Sequence, residues 1–204
     1  MLFRSVFTLI AYNTSSTFSY SSISRNLGIS IEAVTNYAKY LQDTYLIGEL
    51  PFFSKNIEKR LRANKKYFIL DPGLQNAIVK TRTIEEINRG LLIEYVVQKH
   101  IYVFAEKNNA SAYYWKEKKE VDIILDLKSK ILPIEVKYQN SITKGDIKGL
   151  LNFMNIYKIN EGILITKDTL QRQIIDEKTI LFIPVWLFLL TMDLLLDKNI
   201  KDFI

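Results

Sequence analysis

The 204-residue chain has no cysteine and one histidine, His100. Without thiols there are no disulfides and no thiolate metal sites, and an intracellular setting, the cytoplasm, is expected. One imidazole argues against zinc centres built on several histidines and against histidine triad chemistry. A bound metal is therefore expected on oxygen ligands, which narrows the choice to Mg²⁺, Mn²⁺ or Ca²⁺. The phosphate-binding pattern G-x-x-x-x-G-K-[ST] is missing, and with it the usual loop for ATP. There is no Gly/Ser/Pro-rich linker and no internal repeat. The N-terminal stretch MLFRSVFTLIAYNTSS lacks the basic start and the cleavage site of a signal peptide. The apolar run Ile180–Leu196 is broken by Pro184 and Asp193 and falls short of a clean span of about 20 residues. It reads as a buried strand followed by a core helix, so no membrane association is expected, with a membrane anchor as the minor alternative.

What is present is an ordinary globular composition, 48% hydrophobic and 25% charged. The net charge of +6 is unevenly placed. Residues 1–83 hold 11 Lys+Arg against 5 Asp+Glu, whereas residues 84–204 hold 17 of each. This shift divides the chain into a basic module, 1–83, and a neutral one, 84–204. A basic module is expected to meet a polyanion, although a lysine-rich solvated surface gives the same count.

The first module reads as three helices and a hairpin. In SYSSISRNLGISIEAVTNYAKYLQDTYLI, Gly28 marks a turn and Ser30 caps a second helix. On that helix Val34, Tyr37, Ala38 and Leu41 form one buried stripe at helical spacing, leaving Thr35, Asn36, Lys39 and Tyr40 outward. This is a helix-turn-helix pattern. Two apolar runs, LIGELPFF and KKYFILD, follow. Between them SKNIEKRLRANKK supplies Lys55, Lys59, Arg60, Arg62, Lys65 and Lys66 as the basic tip of a two-stranded wing. Such a winged helix serves DNA or protein contact. The basic wing and the polar helix face, with Lys39, Lys59, Arg60 and Arg62, favour DNA.

The second module orders its elements α, β, β, β, α, β, with helices packed on a mixed sheet, an α+β arrangement. In EVDIILDL and ILPIEVKY a turn at Lys128-Ser129 sets Leu125 opposite Leu132, Ile123 opposite Ile134 and Val121 opposite Val136. The other face then pairs Asp122 with Glu135 and Glu120 with Lys137. Two carboxylates about 5 Å apart at Cβ repel unless a cation or a proton lies between them. A plain cross-strand ion pair between Asp122 and Lys137 is the alternative. His100 is expected in a packing or surface role, and Trp115 and Trp186 are expected to fill cores. Tyr113 and Tyr114 fall on opposite strand faces.

Asp122, then Glu135-Val136-Lys137, preceded by Glu94 in the helical GLLIEYVVQKH, resembles the PD-(D/E)XK nuclease superfamily, whose core is αβββαβ. Val121 stands where the family name puts proline. The whole chain is also similar to the winged-helix and nuclease-like region at the C-terminal end of archaeal and bacterial AAA-type ATPases, which makes it a fragment or a stand-alone relative. The resemblance implies a restriction-endonuclease-like domain in which Asp122, Glu135 and the Val136 carbonyl hold Mg²⁺ or Mn²⁺. Lys137 would orient water or meet phosphate charge, and Glu94 would hold a metal-bound water or a second metal. Lys144 and Lys148, near the start of the following helix, would meet the DNA backbone. A non-catalytic module that binds DNA or docks with an ATPase is the competing expectation.

Overall fold

A computed structural model describes residues 2–14, 16–80 and 88–197. The chain forms two compact units, Met1–Asn88 and Arg89–Ile204. The boundary expected at residue 83 lies outside the described residues, as does the start of the helix expected from Ile84.

The first unit begins with α1 (Leu2–Tyr12), β1 (Thr17–Phe18), α2 (Tyr20–Leu27) and α3 (Ile31–Asp43). Gly28 ends α2 at φ +65°, a conformation glycine adopts without steric cost. Ser30 caps α3, its hydroxyl accepting from the Ala33 N–H at 3.1 Å. Val34, Ala38 and Leu41 are buried, and Thr35, Asn36, Lys39 and Tyr40 are exposed. The buried stripe joins Val6 and Ile10 of α1 in one core. Behind it lies an antiparallel sheet of β1, β2 (Ile47–Leu50) and β3 (Lys65–Ile69), in the order β1-β3-β2. The last helix among the described residues of this unit is α5 (Pro72–Val79), which Asp71 caps.

The wing differs from expectation. Its connection is not a hairpin tip but a short helix, α4 (Ile57–Arg62). Asn56 caps α4 by accepting from the Lys59 N–H at 3.0 Å. Glu58 lies in its first turn and Arg60 and Arg62 at its end, the charge order a helix dipole favours. Three of the six basic residues expected at the tip are used internally. Arg60 donates from Nε and an η nitrogen to the Ser54 carbonyl at 3.2 and 2.8 Å, Lys65 pairs with Glu49 at 2.6 Å, and Lys66 is buried.

The second unit runs α6 (Arg89–Lys107), β4 (Ser111–Lys116), β5 (Glu120–Asp126), β6 (Ile131–Lys137), α7 (Lys148–Tyr157), β7 (Glu161–Thr166), β8 (Gln171–Ile175), β9 (Lys178–Pro184) and α8 (Val185–Asp197). Its opening order is the expected αβββαβ. The sheet order is β4-β5-β6-β7-β9-β8, with β6, β7 and β9 parallel and the remaining neighbours antiparallel. One sheet face, including Ile123, Ile134, Val136 and Ile163, packs with Val97 and Ile101 of α6 and Phe188 of α8. The other face carries α7: a Cβ at Gly162 would lie 3.0 Å from the Met154 sulfur. The start of α7 presses on β5 so closely that a Cβ at Gly149 would lie 2.5 Å from the Glu120 carbonyl oxygen.

The run Ile180–Leu196 is a strand followed by a helix, as read. That helix is not wholly core, because Leu190 and Leu194 are exposed, and so is Trp186, against the expectation that both tryptophans fill cores; only Trp115 does. Tyr113 and Tyr114 are both buried, so neither is displayed for stacking. No helix among the described residues is long and apolar enough to cross a membrane.

Candidate active site

The β5–β6 ladder follows the expected register through Asp126–Ile131, Leu125–Leu132 and Ile123–Ile134. Beyond Ile123 the recorded ladder ends and side chains take over its hydrogen bonds. The Val136 N–H donates to Asp122 Oδ2 at 2.8 Å. The Asp122 N–H points to Glu135 Oε2 at 3.4 Å. Each strand thus offers a carboxylate to the other's backbone.

The cause is visible on the far side of β5. Tyr113 pairs with Ile124 and Trp115 with Val121. One residue of β4, Tyr114, therefore spans two of β5, Asp122 and Ile123. This bulge bends β5 and re-aims Asp122. The expected Asp122–Glu135, Val121–Val136 and Glu120–Lys137 pairs are accordingly not in the ladder. Glu120 pairs instead with Lys116 at 3.3 Å, and Lys137 with Glu135 of its own strand.

Asp122 is 8% exposed and Glu135 4%. Burial, and then the neighbouring Asp122 charge, push the Glu135 carboxyl up to about 8, against the pull of Lys137. Burial pulls the Lys137 ammonium down, but the charges of Glu135 and Asp122, with a smaller share from Glu94, leave it above its ordinary value. Its Nζ also reaches the Val136 carbonyl at 3.4 Å.

The structure brings Asp122, Glu135 and Lys137 together in direct contact. Glu94, on α6, lies within electrostatic reach of Lys137, and its Oε1 accepts from Gln98 Nε2 at 2.9 Å. Gln98 is 1% exposed, which makes it a fixed part of this corner. His100 places Nδ1 2.6 Å from the Val96 carbonyl on its own helix and takes a packing role. Lys144 and Lys148 are exposed, at the turn before α7 and in its first residue. Lys39, Lys59 and Arg62 are exposed on the first unit, with Lys59 Nζ 5.5 Å from the Phe52 ring centre.

Asp146 was not foreseen. It accepts from the Thr143 N–H at 2.8 Å, from Thr143 Oγ1 at 2.6 Å and from Gln139 Nε2 at 2.9 Å. The Thr143 bonds, with a smaller share from Lys137, hold its carboxyl below the usual value. The pattern T-x-x-D ahead of an apolar helical run is the signal that marks it.

The donors available to a cation are the Asp122 and Glu135 carboxylates and the Val136 carbonyl. This oxygen-only set fits a hard divalent ion, and the raised Glu135 carboxyl is what two buried acids show before a cation separates them. Among the described residues no three acidic or imidazole groups converge as a metal cluster.

Residues 1–85 match the profile of a domain of unknown function, DUF8612, and residues 89–188 that of a second, DUF4143. The chain is 28% identical over 187 residues to an uncharacterised protein of Methanocaldococcus jannaschii, covering 89% of this chain and 37% of that protein. It is 23% identical over 192 residues to an uncharacterised protein of Haemophilus influenzae, covering 91% and 46%. The chain thus spans less than half the length of these curated relatives.

Proposed function

We propose that the second unit is a PD-(D/E)XK-type nuclease that hydrolyses phosphodiester bonds in DNA with Mg²⁺ or Mn²⁺, and that the first unit is its winged-helix contact with DNA. The observation that carries this reading is the buried Asp122–Glu135 pair, clasped across two strands where their ladder opens, with Lys137 on Glu135. Asp122, Glu135 and the Val136 carbonyl would hold the ion. Bound there, the ion would let a water give up its proton more easily, so that the resulting hydroxide is the nucleophile toward phosphorus, and would offset phosphate charge. The chain's own contribution is placement and charge. The clasp fixes both carboxylates against strand backbone. Lys137 supplies a positive charge beside them, suited to a phosphate oxygen. Glu94, steadied by Gln98, faces the same corner and suits a water on its outer side. Lys39, Lys59 and Arg62, with Lys144 and Lys148, suit the DNA backbone.

The test is nicking of supercoiled plasmid and cleavage of branched DNA in Mg²⁺ or Mn²⁺. Cleavage is expected to be lost with chelator, in Glu135→Gln and in Lys137→Ala. Cleavage at the wild-type rate in Glu135→Gln would overturn the reading.

A second reading is a non-catalytic module that binds DNA or docks on a partner within a longer protein, an AAA-type ATPase by resemblance. It is favoured by the alignment of nearly the whole chain with less than half of each relative. DNA binding that is indifferent to metal, without cleavage, would support it. A cytoplasmic place fits both readings through the absence of cysteine.

A further inference from the structure

The strands β6, β7 and β9 are parallel, and ligands of such sheets sit beyond the carboxyl ends of the strands. Two segments leave that end here, residues 138–147 after Lys137 and residues 167–170 after Thr166. Lys137 and Thr166 are register partners, and Lys167 Nζ binds Asn140 Oδ1 at 2.7 Å, so the segments are tied together. Between the first of them and the edge strand β8 lies a groove of about 310 Å³, which begins at that end, where Gln171 pairs with Phe182, and runs along β8 toward the start of β9, where Ile175 pairs with Lys178.

The lining of this groove is ordered by the strand period. Gln171, Gln173 and Ile175 line it from alternate positions of β8, while Arg172 and Ile174 are exposed. Ile147 and Phe182 give it an apolar floor, and Lys144 lies at its wall. The two glutamines stand about 7 Å apart along the strand. Among the described residues no protein group hydrogen-bonds the side chains of Gln171, Gln173 or Lys144. Lys137, Lys167 and Lys178, by contrast, are all engaged.

We infer that this groove takes an unpaired nucleotide of the substrate strand, so that the preferred substrate is DNA with a single-stranded segment. The inference rests on the nuclease reading and names its substrate class. An amide carries both a donor and an acceptor, so two of them meet the edge of any base without demanding one. The apolar floor suits the face of a base, and Lys144 suits its phosphate. The volume is at the lower end for ligand pockets and has no room for a duplex. A nucleotide seated there must be out of its stack, which costs least where the strand is already single. The wall residues Ile142, Thr143 and Lys144 belong to the segment that follows Lys137 in the chain.

The experiment uses the full chain carrying Glu135→Gln, which suppresses cleavage, in Mg²⁺. Fluorescence anisotropy compares a labelled thymidine oligonucleotide with a hairpin duplex, with free thymidine monophosphate as competitor. Adding Gln171→Ala and Gln173→Ala is expected to weaken single-strand binding about tenfold, the worth of two neutral hydrogen bonds, and to leave duplex binding unchanged. Gln173→Trp, which fills the groove and keeps the strand face, is expected to do the same. Single-strand affinity unchanged in both variants, or lost equally for duplex and single strand, overturns the inference. Competition by the monophosphate as strong as by the oligonucleotide assigns the groove to free nucleotides and also overturns it. Plasmid nicking by the wild type is scored separately. Nicking with no effect of the groove variants on single-strand binding leaves the nuclease reading standing and this inference refuted; absence of nicking refutes the nuclease reading and the substrate assignment with it, whatever the groove variants do.

Discussion

Replacing Glu135 by glutamine should change how stability depends on pH, in a direction fixed by the geometry. In the folded chain Glu135 keeps its proton to about pH 8, while an ordinary glutamic acid releases it near 4.5. Between those values the folded state binds more protons than the unfolded one, so stability is full below pH 4.5 and falls as pH rises through 8. The slope is at most about 1.4 kcal/mol per pH unit, with a ceiling of roughly 5 kcal/mol over the window. Lys137, also shifted upward, contributes stability that is lost only above its ordinary value of 10.5 and stays outside this window. Glutamine keeps the shape and can still accept from the Asp122 N–H, but it cannot ionise. Urea unfolding followed by circular dichroism from pH 5 to pH 9 should therefore show the wild type losing stability with pH more steeply than Glu135→Gln. The variant should be the more stable protein at the alkaline end. Mg²⁺ at pH 8 should raise the stability of the wild type through binding to the folded state and leave the variant unmoved. Parallel pH curves for the two proteins would refute the claim that Glu135 is forced to share a buried site with Asp122.

Two further substitutions test the frame around the site and the wing. Gly149→Ala places a methyl 2.5 Å from a backbone oxygen, which cannot swing aside as a side chain would, and should cost about 1–3 kcal/mol in the same unfolding assay. Arg60→Ala should lower stability by about 1–2 kcal/mol through the lost bonds to Ser54, with the salt dependence of DNA binding unchanged. Lys59→Ala and Arg62→Ala should instead flatten that dependence, each by about one unit of slope in a plot of log affinity against log salt.

The hairpin was legible because Val121, Ile123, Leu125 and Leu127 fall on one face: shifting EVDIILDL by one residue would set them against the charged residues of ILPIEVKY. The buried stripe of α3 and its Ser30 cap were legible for the same reason, a period and a terminal signal that agree. The bulge at Asp122–Ile123 was not, because it depends on how β4 lies against β5, and nothing in EVDIILDL marks the place. The helix in the wing was hidden by charge. Asn56 ahead of Ile57 and Glu58 is a good start signal, but the basic run reads equally well as a solvated loop. Strand β8, QRQII, has a single polar–apolar alternation and becomes a strand only by pairing with β9. The groove it lines was therefore invisible to a reading of residues alone. Arg60 and Lys66 count as charge in the sequence, yet their surroundings commit them to structure, which no composition reveals.

The two tryptophans occupy opposite surroundings within the same unit. Trp115 is 1% exposed and packs edge-on to Phe153 with ring centres 5.2 Å apart, while Trp186 is 58% exposed. Their emission must therefore separate, a blue-shifted component shielded from iodide and a red-shifted one that iodide quenches. With no tryptophan in residues 1–88, the first unit carries no indole of its own. A protein with Trp186→Phe would leave one indole that reports on the α7 side of the sheet alone.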